Sequence, residues 1–322
     1  MPYPREIYLK AQRILDRRRE NSAIEAEMRA GEIRAKLPEV EEIQRRLAEI
    51  GYEISTIFFF DGDTDKKLAQ LKEKSNALIK ERAVILKKNG YKENALSQEH
   101  ICPVCEDKGF INTRMCKCHT DLLKNIMRDE IKKLAPLDAC TFENFELDYY
   151  SQEPDESGVI PRARAEKVFD ACRRYAQNFS PDSKNIMLLG KTGLGKTHLS
   201  LAIANVAVNR GYYVCYGTSQ NICEDLRAEM FGRDKKLIYT KDNVCECDLL
   251  ILDDLGTEID NQYNIASIYN IINTRILSGK PTIISTNYDF TELLDKYDQR
   301  ITSRITGEYT RMMLFGTDNR IK

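Results

Sequence analysis

The sequence predicts an α/β fold: a parallel sheet covered by helices on both faces, preceded by a helical hairpin and a small cysteine-rich module. Three observations predict it. From about Ala163 onward, five short apolar runs alternate with helical patterns. One of those runs leads straight into a glycine-rich string and then an amphipathic helix. Upstream, apolar residues recur at three- and four-residue steps, and four cysteines crowd into residues 102–118.

The bulk numbers set the limits. A chain of 322 residues allows about two domains. With 42% hydrophobic and 31% charged residues, it is globular rather than disordered. The formal net charge is −1, and residues 1–100 carry 20 Lys+Arg against 18 Asp+Glu. No global positive field draws in nucleic acid, so any such contact needs a local patch. No stretch approaches the roughly 20 apolar residues of a membrane span, and the opening "MPYPREIYLKAQRILDRRRE" lacks the apolar core of a secretion signal. The expected compartment is the cytoplasm, where clustered cysteines point to metal and scattered ones to packing.

In chain order, residues 1–95 read as a helical hairpin. Ile33, Leu37, Val40, Leu47, Ile50, Ile54 and Ile57 line one helix, and Leu68, Leu71, Leu78 and Ile85 another, with a turn at Asp61–Asp65. Pro38 kinks or restarts the first helix. Phe58, Phe59 and Phe60 near the tip add apolar area that needs a cover. The hairpin serves either as a spacer or as a partner-binding surface. Residues 96–135 hold the cysteines and a charged helix. Residues 136–162, "CTFENFELDYYSQEPDESGVIP" within them, read as a linker. Residues 163–322 hold the sheet, with strands expected at Asn185–Leu189, Tyr212–Tyr216, Asp248–Leu252, Pro281–Ser285 and Met312–Phe315.

The glycine-rich string is "GKTGLGKT": Gly190, Lys191, Thr192, Gly193, Leu194, Gly195, Lys196 and Thr197 match G-x-x-x-x-G-K-[ST] between a strand and a helix. Glycines let backbone N–H groups face phosphates, and the helix N-terminus adds partial positive charge. Lys196 reaches the β- and γ-phosphates of ATP, and the Thr197 hydroxyl ligates Mg²⁺. This explains "CDLLILDDLG", where an apolar strand ends in two adjacent acids. Asp253 holds the Mg²⁺ opposite Thr197, and Asp254 polarises the attacking water. Asn287 ends the next strand, "KPTIISTNYDF", where sheet topology puts ligands. Arg300 and Arg304 share one helix face and are either ordinary surface or a cation supplied to a neighbouring subunit's ATP.

Cys102, Cys105, Cys116 and Cys118 form a C-x-x-C…C-x-C set suited to structural zinc, with Gly109 turning between the halves and His100 and His119 as spare ligands. Cys140, Cys172, Cys215, Cys223, Cys245 and Cys247 share no spacing and read as packing residues. His198 reads as a helix residue without a special task.

Together, "GKTGLGKTHLSLAIAN", "CDLLILDDLG", "NIINTRILSGKPTIISTNY" and "RITSRI" resemble the DnaC/DnaI-type bacterial helicase loaders and the related IstB-like ATPases, a branch of the AAA+ superfamily. "CTFENF" resembles the segment that precedes their ATPase core, and the hairpin with "CPVCEDKGF…CKC" more loosely resembles the zinc-bearing N-terminal domain of DnaI-like loaders. The resemblance implies a P-loop NTPase of AAA+ type with sheet order 5-1-4-3-2. It implies Asn287 as sensor 1 and Arg304 as the arginine finger, with Arg300 beside it. It further implies ATP-driven assembly of a homo-oligomer on single-stranded DNA and docking of the N-terminal domain onto a hexameric replicative helicase. About seven residues follow the last strand, too few for a C-terminal helical lid; Arg320 is a weak substitute for the arginine such a lid carries. Hydrolysis is therefore expected to depend on oligomerisation. Two other readings stand beside this one: an IstB-like transposition helper acting on a transposase and duplex DNA, and a nucleotide-gated adaptor that hardly hydrolyses. Arg227, Arg233, Lys235 and Lys236 either line a DNA channel or belong to a solvated helix.

Overall fold

The structure is a computed structural model and describes residues 3–56, 64–232, 237–297 and 299–317. The chain forms two compact units, Gln12–His119 and Met1–Ala11 with Thr120–Lys322.

In the unit Gln12–His119, helix α1 (Arg5–Lys36) buries Leu15, Ser22, Ala26, Ala30 and Ile33. These recur at three-, four- and seven-residue steps and so share one face. Leu37 separates it from α2 (Pro38–Thr56), which packs against α3 (Thr64–Lys88). Pro38 opens the new helix at the position where a missing N–H goes unnoticed, while Leu37 N still donates to Ile33 O at 2.9 Å. Ile33, Val40, Leu86 and Ala95 form the apolar core there, with Leu37, Ile85, Tyr91 and Leu96 against it. The proline restarts a helix rather than kinking one. The hairpin is α2 with α3, and α1 is a further long helix. Small residues, not large apolar ones, fill much of its inward face, so little apolar periodicity marks it in the sequence. Phe58, Phe59, Phe60 and the turn residues 61–63 lie outside the described residues.

The cysteine module contains a two-stranded antiparallel ribbon, β1 (Phe110–Ile111) and β2 (Arg114–Met115). Gly109 enters it at φ +81°, where an added Cβ would lie 2.7 Å from Leu15 Cδ1 and 2.9 Å from His119 Nδ1. Only glycine fits that turn and that approach. Helix α4 (Lys117–Lys132) follows, and the division between the units falls in its first turn.

In the other unit, α5 (Pro161–Gln177), β3 (Asn185–Leu189), α6 (Lys196–Asn209), β4 (Val214–Thr218), α7 (Ser219–Met230), α8 (Lys241–Glu246), β5 (Leu249–Asp253), α9 (Gln262–Leu277), β6 (Thr282–Thr286), α10 (Phe290–Lys296), α11 (Gln299–Glu308) and β7 (Tyr309–Met313) follow in order. The five strands β3 to β7 pair in parallel in the order β4-β5-β6-β3-β7. Numbered one to five along the chain, that is the expected 5-1-4-3-2. Successive strand residues point to opposite faces, and every residue of β5 and β6 is buried, so both faces of the sheet are covered. Helix α5 packs on α6, and α9 packs on α7, α8 and α11.

Four strands start at positions other than those expected. The turn closing α6 runs on through Gly211 (φ +95°) to Tyr212, whose N–H donates to Ala207 O at 3.1 Å, so β4 starts at Val214. β5 and β6 each shift by one residue. β7 begins at Tyr309, three residues early, because it is an edge strand with Thr310, Arg311 and Met313 exposed. An edge strand does not read as an apolar run. Arg233, Lys235 and Lys236 of the expected DNA patch lie outside the described residues, as does Arg320.

One unforeseen core residue is Arg275 on α9, fully buried. Its guanidinium donates to the carbonyls of Val244, Cys245, Cys247 and Pro281 and to Thr282 Oγ1, at 2.6–3.1 Å. It staples the approaches to β5 and β6 together by donating to carbonyls buried in an apolar setting.

Candidate functional site

The site forms where β3, β5 and β6 end together. β3 runs into Gly190 at φ +145°, where an added Cβ would lie 2.6 Å from Leu314 O. Gly193 and Gly195 also hold positive φ, +78° and +75°. Gly195 is the N-cap of α6, and no side chain caps that helix. Its leading N–H groups thus remain available to an anion. A cavity of about 340 Å³ opens there, lined by Thr192–His198 with Cys140, Asp254 and Asn287.

Lys196 is buried, and its Nζ donates to Gly190 O (2.6 Å), Lys191 O (2.8 Å) and Asn287 Oδ1 (2.7 Å). Strand tips one and four are thus joined through the ammonium. The third tip is Asp253, only 2% exposed. Thr197 Oγ1 lies 3.0 and 3.2 Å from its two carboxylate oxygens. Tyr216 OH donates to Oδ2 at 2.8 Å, and Ser285 Oγ donates to Oδ1. Three hydroxyls from three elements therefore hold one buried carboxylate, which answers the cost of burying it. Tyr216 has its hydroxyl pKa raised, first by burial and then by the charge of Asp253. Asp254 takes φ +52°, a left-handed state that costs a non-glycine residue about 1–2 kcal/mol. Its N–H donates to Ser285 Oγ (3.0 Å), and Asn287 Nδ2 lies 3.4 Å from its Oδ1. Strain held at a cavity wall aims a side chain.

Of the expected residues, Gly190, Gly193, Gly195, Lys196, Thr197, Asp253, Asp254 and Asn287 converge. Thr192 and Leu194 line the cavity, and Lys191 contributes its carbonyl. Arg300 and Arg304 do not line it. Both lie on α11, Arg300 exposed and Arg304 with its Cζ 5.7 Å from the Tyr269 ring centroid.

Several participants were not foreseen. Tyr216 and Ser285 stood in apolar strands, where a buried polar residue was the available signal. The segment read as a linker packs on the phosphate loop: Tyr150 OH donates to Leu194 O at 2.8 Å, and the Phe145 ring sits where a Gly195 Cβ would come within 2.7 Å. Its Pro, Gly and acids suggested solvent, but its aromatic residues decide its place. His198, given no task, lies with Nε2 2.7 Å from Thr141 O and lines the cavity. A further cavity of about 940 Å³ adjoins the loop, with Tyr149, Pro161 and Phe315 in its wall.

The donors present fit Mg²⁺ with a nucleotide: a hydroxyl and a carboxylate meet at Thr197 and Asp253, beside an uncapped helix end and a buried ammonium. In the unit Gln12–His119, the Sγ atoms of Cys102, Cys105, Cys116 and Cys118 all lie within 4.8 Å of one another, with Cys102–Cys116 at 3.8 Å and Cys105–Cys118 at 3.3 Å. Four thiolates around zinc stand about 3.8 Å apart, so the set fits. The N–H of Cys105 leads in lowering the Cys102 thiol pKa to about 7. Neither histidine joins the set: His119 turns Nδ1 toward Gly109 O at 3.3 Å, and His100 Nδ1 lies 3.7 Å from Asp107 Oδ2. Asp107, also unforeseen, is fully buried and accepts the N–H groups of Ile101 (2.8 Å) and Cys102 (3.0 Å), fixing the first knuckle.

Residues 172–306 match the family model described as IstB-like ATP binding protein. Curated relatives include the replicative helicase loader DnaC of Buchnera aphidicola subsp. Baizongia pistaciae (strain Bp), 26% identical over 184 residues, 56% of this chain and 68% of that one. The replicative helicase loader DnaC of Escherichia coli (strain K12) is 23% identical over 180 residues, 56% of this chain and 68% of that one. Two further Buchnera relatives are matched over only 63% of their length. A crystal structure of the DnaC helicase loader is 25% identical, with a TM-score of 0.43, covering 54% of this chain and 98% of that chain. Residues 172–306, which carry the phosphate loop and the acidic strand tip, thus match the IstB-like ATP binding family model, and the chain is similar over 184 and 180 residues to DnaC helicase loaders.

Proposed function

We propose that the protein is an ATP-hydrolysing helicase loader of DNA replication, acting with single-stranded DNA and a replicative helicase. The observation that carries this is the meeting of Lys196, Thr197, Asp253, Asp254 and Asn287 at three adjacent strand ends. Names of the DnaC relatives support the partner class.

Lys196 and the leading N–H groups of α6 bind the β- and γ-phosphates. Thr197 and Asp253 hold Mg²⁺, which neutralises phosphate charge when bound. Asp254 and Asn287 orient a water for in-line attack on the γ-phosphorus; Asp254 takes the water's proton as the new P–O bond forms, the bond to the β–γ bridging oxygen breaks and ADP leaves with the electron pair. The larger cavity beside Leu194 takes the nucleoside. Arg304, with Arg300 beside it, serves the site of a neighbouring copy, since neither lines the cavity of its own chain. The four cysteines hold a structural zinc.

The test is made on the full-length protein with a fluorescent ATP analogue, followed by turnover with and without single-stranded DNA and affinity capture of a replicative helicase. We expect Mg²⁺-dependent binding that Lys196→Ala abolishes, and co-recovery of the helicase. Absence of nucleotide binding in the wild type overturns the ATPase reading. Capture of a transposase in place of the helicase overturns the loader reading.

A further inference from the structure

A second cluster of buried polar groups lies behind the strand tips, outside the nucleotide cavity. Glu258, four residues past Asp254, is 2% exposed, and a carboxylate that deep requires partners. Its Oε2 lies 2.6 Å from Ser219 Oγ and accepts the Gly256 N–H at 3.1 Å. Its Oε1 accepts from Tyr297 OH and lies 3.8 Å from Lys296 Nζ. Lys296 in turn donates to the carbonyls of Gly256 (2.6 Å) and Glu258 (2.9 Å). Three elements meet at this one side chain: the loop after β5, the first residue of α7, and the end of α10 that leads into α11.

Two links follow from these contacts. Toward the cavity, Ser219 Oγ also lies 3.0 Å from the carbonyl of Asp254. Glu258 therefore holds Ser219, whose hydroxyl lies against the Asp254 carbonyl, and Gly256, two residues further along the same loop. In the other direction, Lys296 and Tyr297 stand just before α11, the helix that carries Arg300 and Arg304. A network satisfied at every oxygen is stiff, and removing one member leaves buried polar groups short of a partner.

We propose that Glu258 is a positioning residue for nucleotide hydrolysis: it braces the loop that aims Asp254 and ties that loop to the start of α11, so that the water-directing carboxylate and the arginine-bearing helix move together. This rests on the ATPase reading above, and the experiment separates the two.

Glu258→Gln in the full-length protein keeps the side-chain size but puts an amide N–H₂ against hydroxyl and N–H donors. Three readouts are taken: affinity for a fluorescent ATP analogue, kcat for ATP, and hydrogen exchange of peptides covering residues 253–258 and 299–308. The expected result is analogue affinity within about twofold of wild type with kcat lowered roughly tenfold or more, since a small misplacement of a reacting group is costly. Both peptides lose protection together. Tyr297→Phe removes one hydroxyl from the same carboxylate, and gives the same pattern at smaller size if Glu258→Gln does not fold. Unchanged kcat overturns the proposal, as does an equal loss of binding and turnover, or exchange that rises in only one of the two peptides. Should the wild type itself fail to hydrolyse ATP, the proposed function falls. The paired exchange then decides by itself whether Glu258 couples the loop to α11.

Discussion

Asp253 and Asp254 are neighbours with opposite environments. Asp253 is enclosed by three hydroxyls from α6, β4 and β6. Asp254 is turned by its positive φ toward Asn287 and the cavity. That separation lets two like charges sit side by side, because each has its own donors and only one faces the reacting space. Their substitutions should therefore differ. Asp254→Asn keeps the side-chain volume and leaves Thr197 and Asp253 intact, so nucleotide binding should persist while turnover falls by roughly 100-fold or more, the usual worth of a positioned base. A fluorescent-analogue titration beside a phosphate-release assay checks this. Equal losses in both would place Asp254 in binding rather than hydrolysis.

At the scale of elements, the cysteine module is a short ribbon with little core of its own. Its exposed side chains include Ile101, Val104, Phe110 and Ile111, so its order must come from elsewhere. The proposed zinc, held by the four gathered thiols, would supply it. The expectation is about one tightly held zinc per chain by elemental analysis. Strong chelation or Cys105→Ser should release it and lower the protection of residues 100–119 in hydrogen exchange. Peptides from β3 and β5 should keep theirs, because the parallel sheet is closed by its own core. A metal content near zero in protein purified with zinc present would remove the module from the list of metal centres. The segment 136–162 is the contrasting case, since its aromatic residues order it without metal.

For the whole molecule, the informative fact is what the cavity does not contain. Lys196 is there, and the arginines of α11 are not. If Arg304 completes a neighbour's site, Arg304→Ala should bind nucleotide normally and lose turnover by roughly a thousandfold, the scale of an arginine finger. Mixing that variant with Lys196→Ala should restore part of the activity. In the mixture an intact phosphate loop from one chain can meet an intact Arg304 from the other. No recovery over a range of mixing ratios would argue against a shared site. Among the described residues no helix is long and apolar enough to cross a membrane.

The phosphate loop, the acidic strand tip, the cysteine spacing and the five-strand alternation are legible in local stretches of the chain. Each is marked by a short stretch of chain: glycines at positive φ, a strand running into a helix, thiols two or three positions apart. The strand order and Arg304's suggested role came from resemblance, and the observed sheet has that order. Which polar residues hold Asp253 emerges only in the folded chain, because Tyr216 and Ser285 reach it from strands 37 and 32 residues away in sequence. The same holds for the stapling of core carbonyls by Arg275, the bracing of the phosphate loop by a supposed linker, and the joining of three elements by Glu258. The physical reason is common to all of these. A buried polar group is fixed by partners that the fold brings from afar, and pattern along the chain records burial and period but not the identity of the partner.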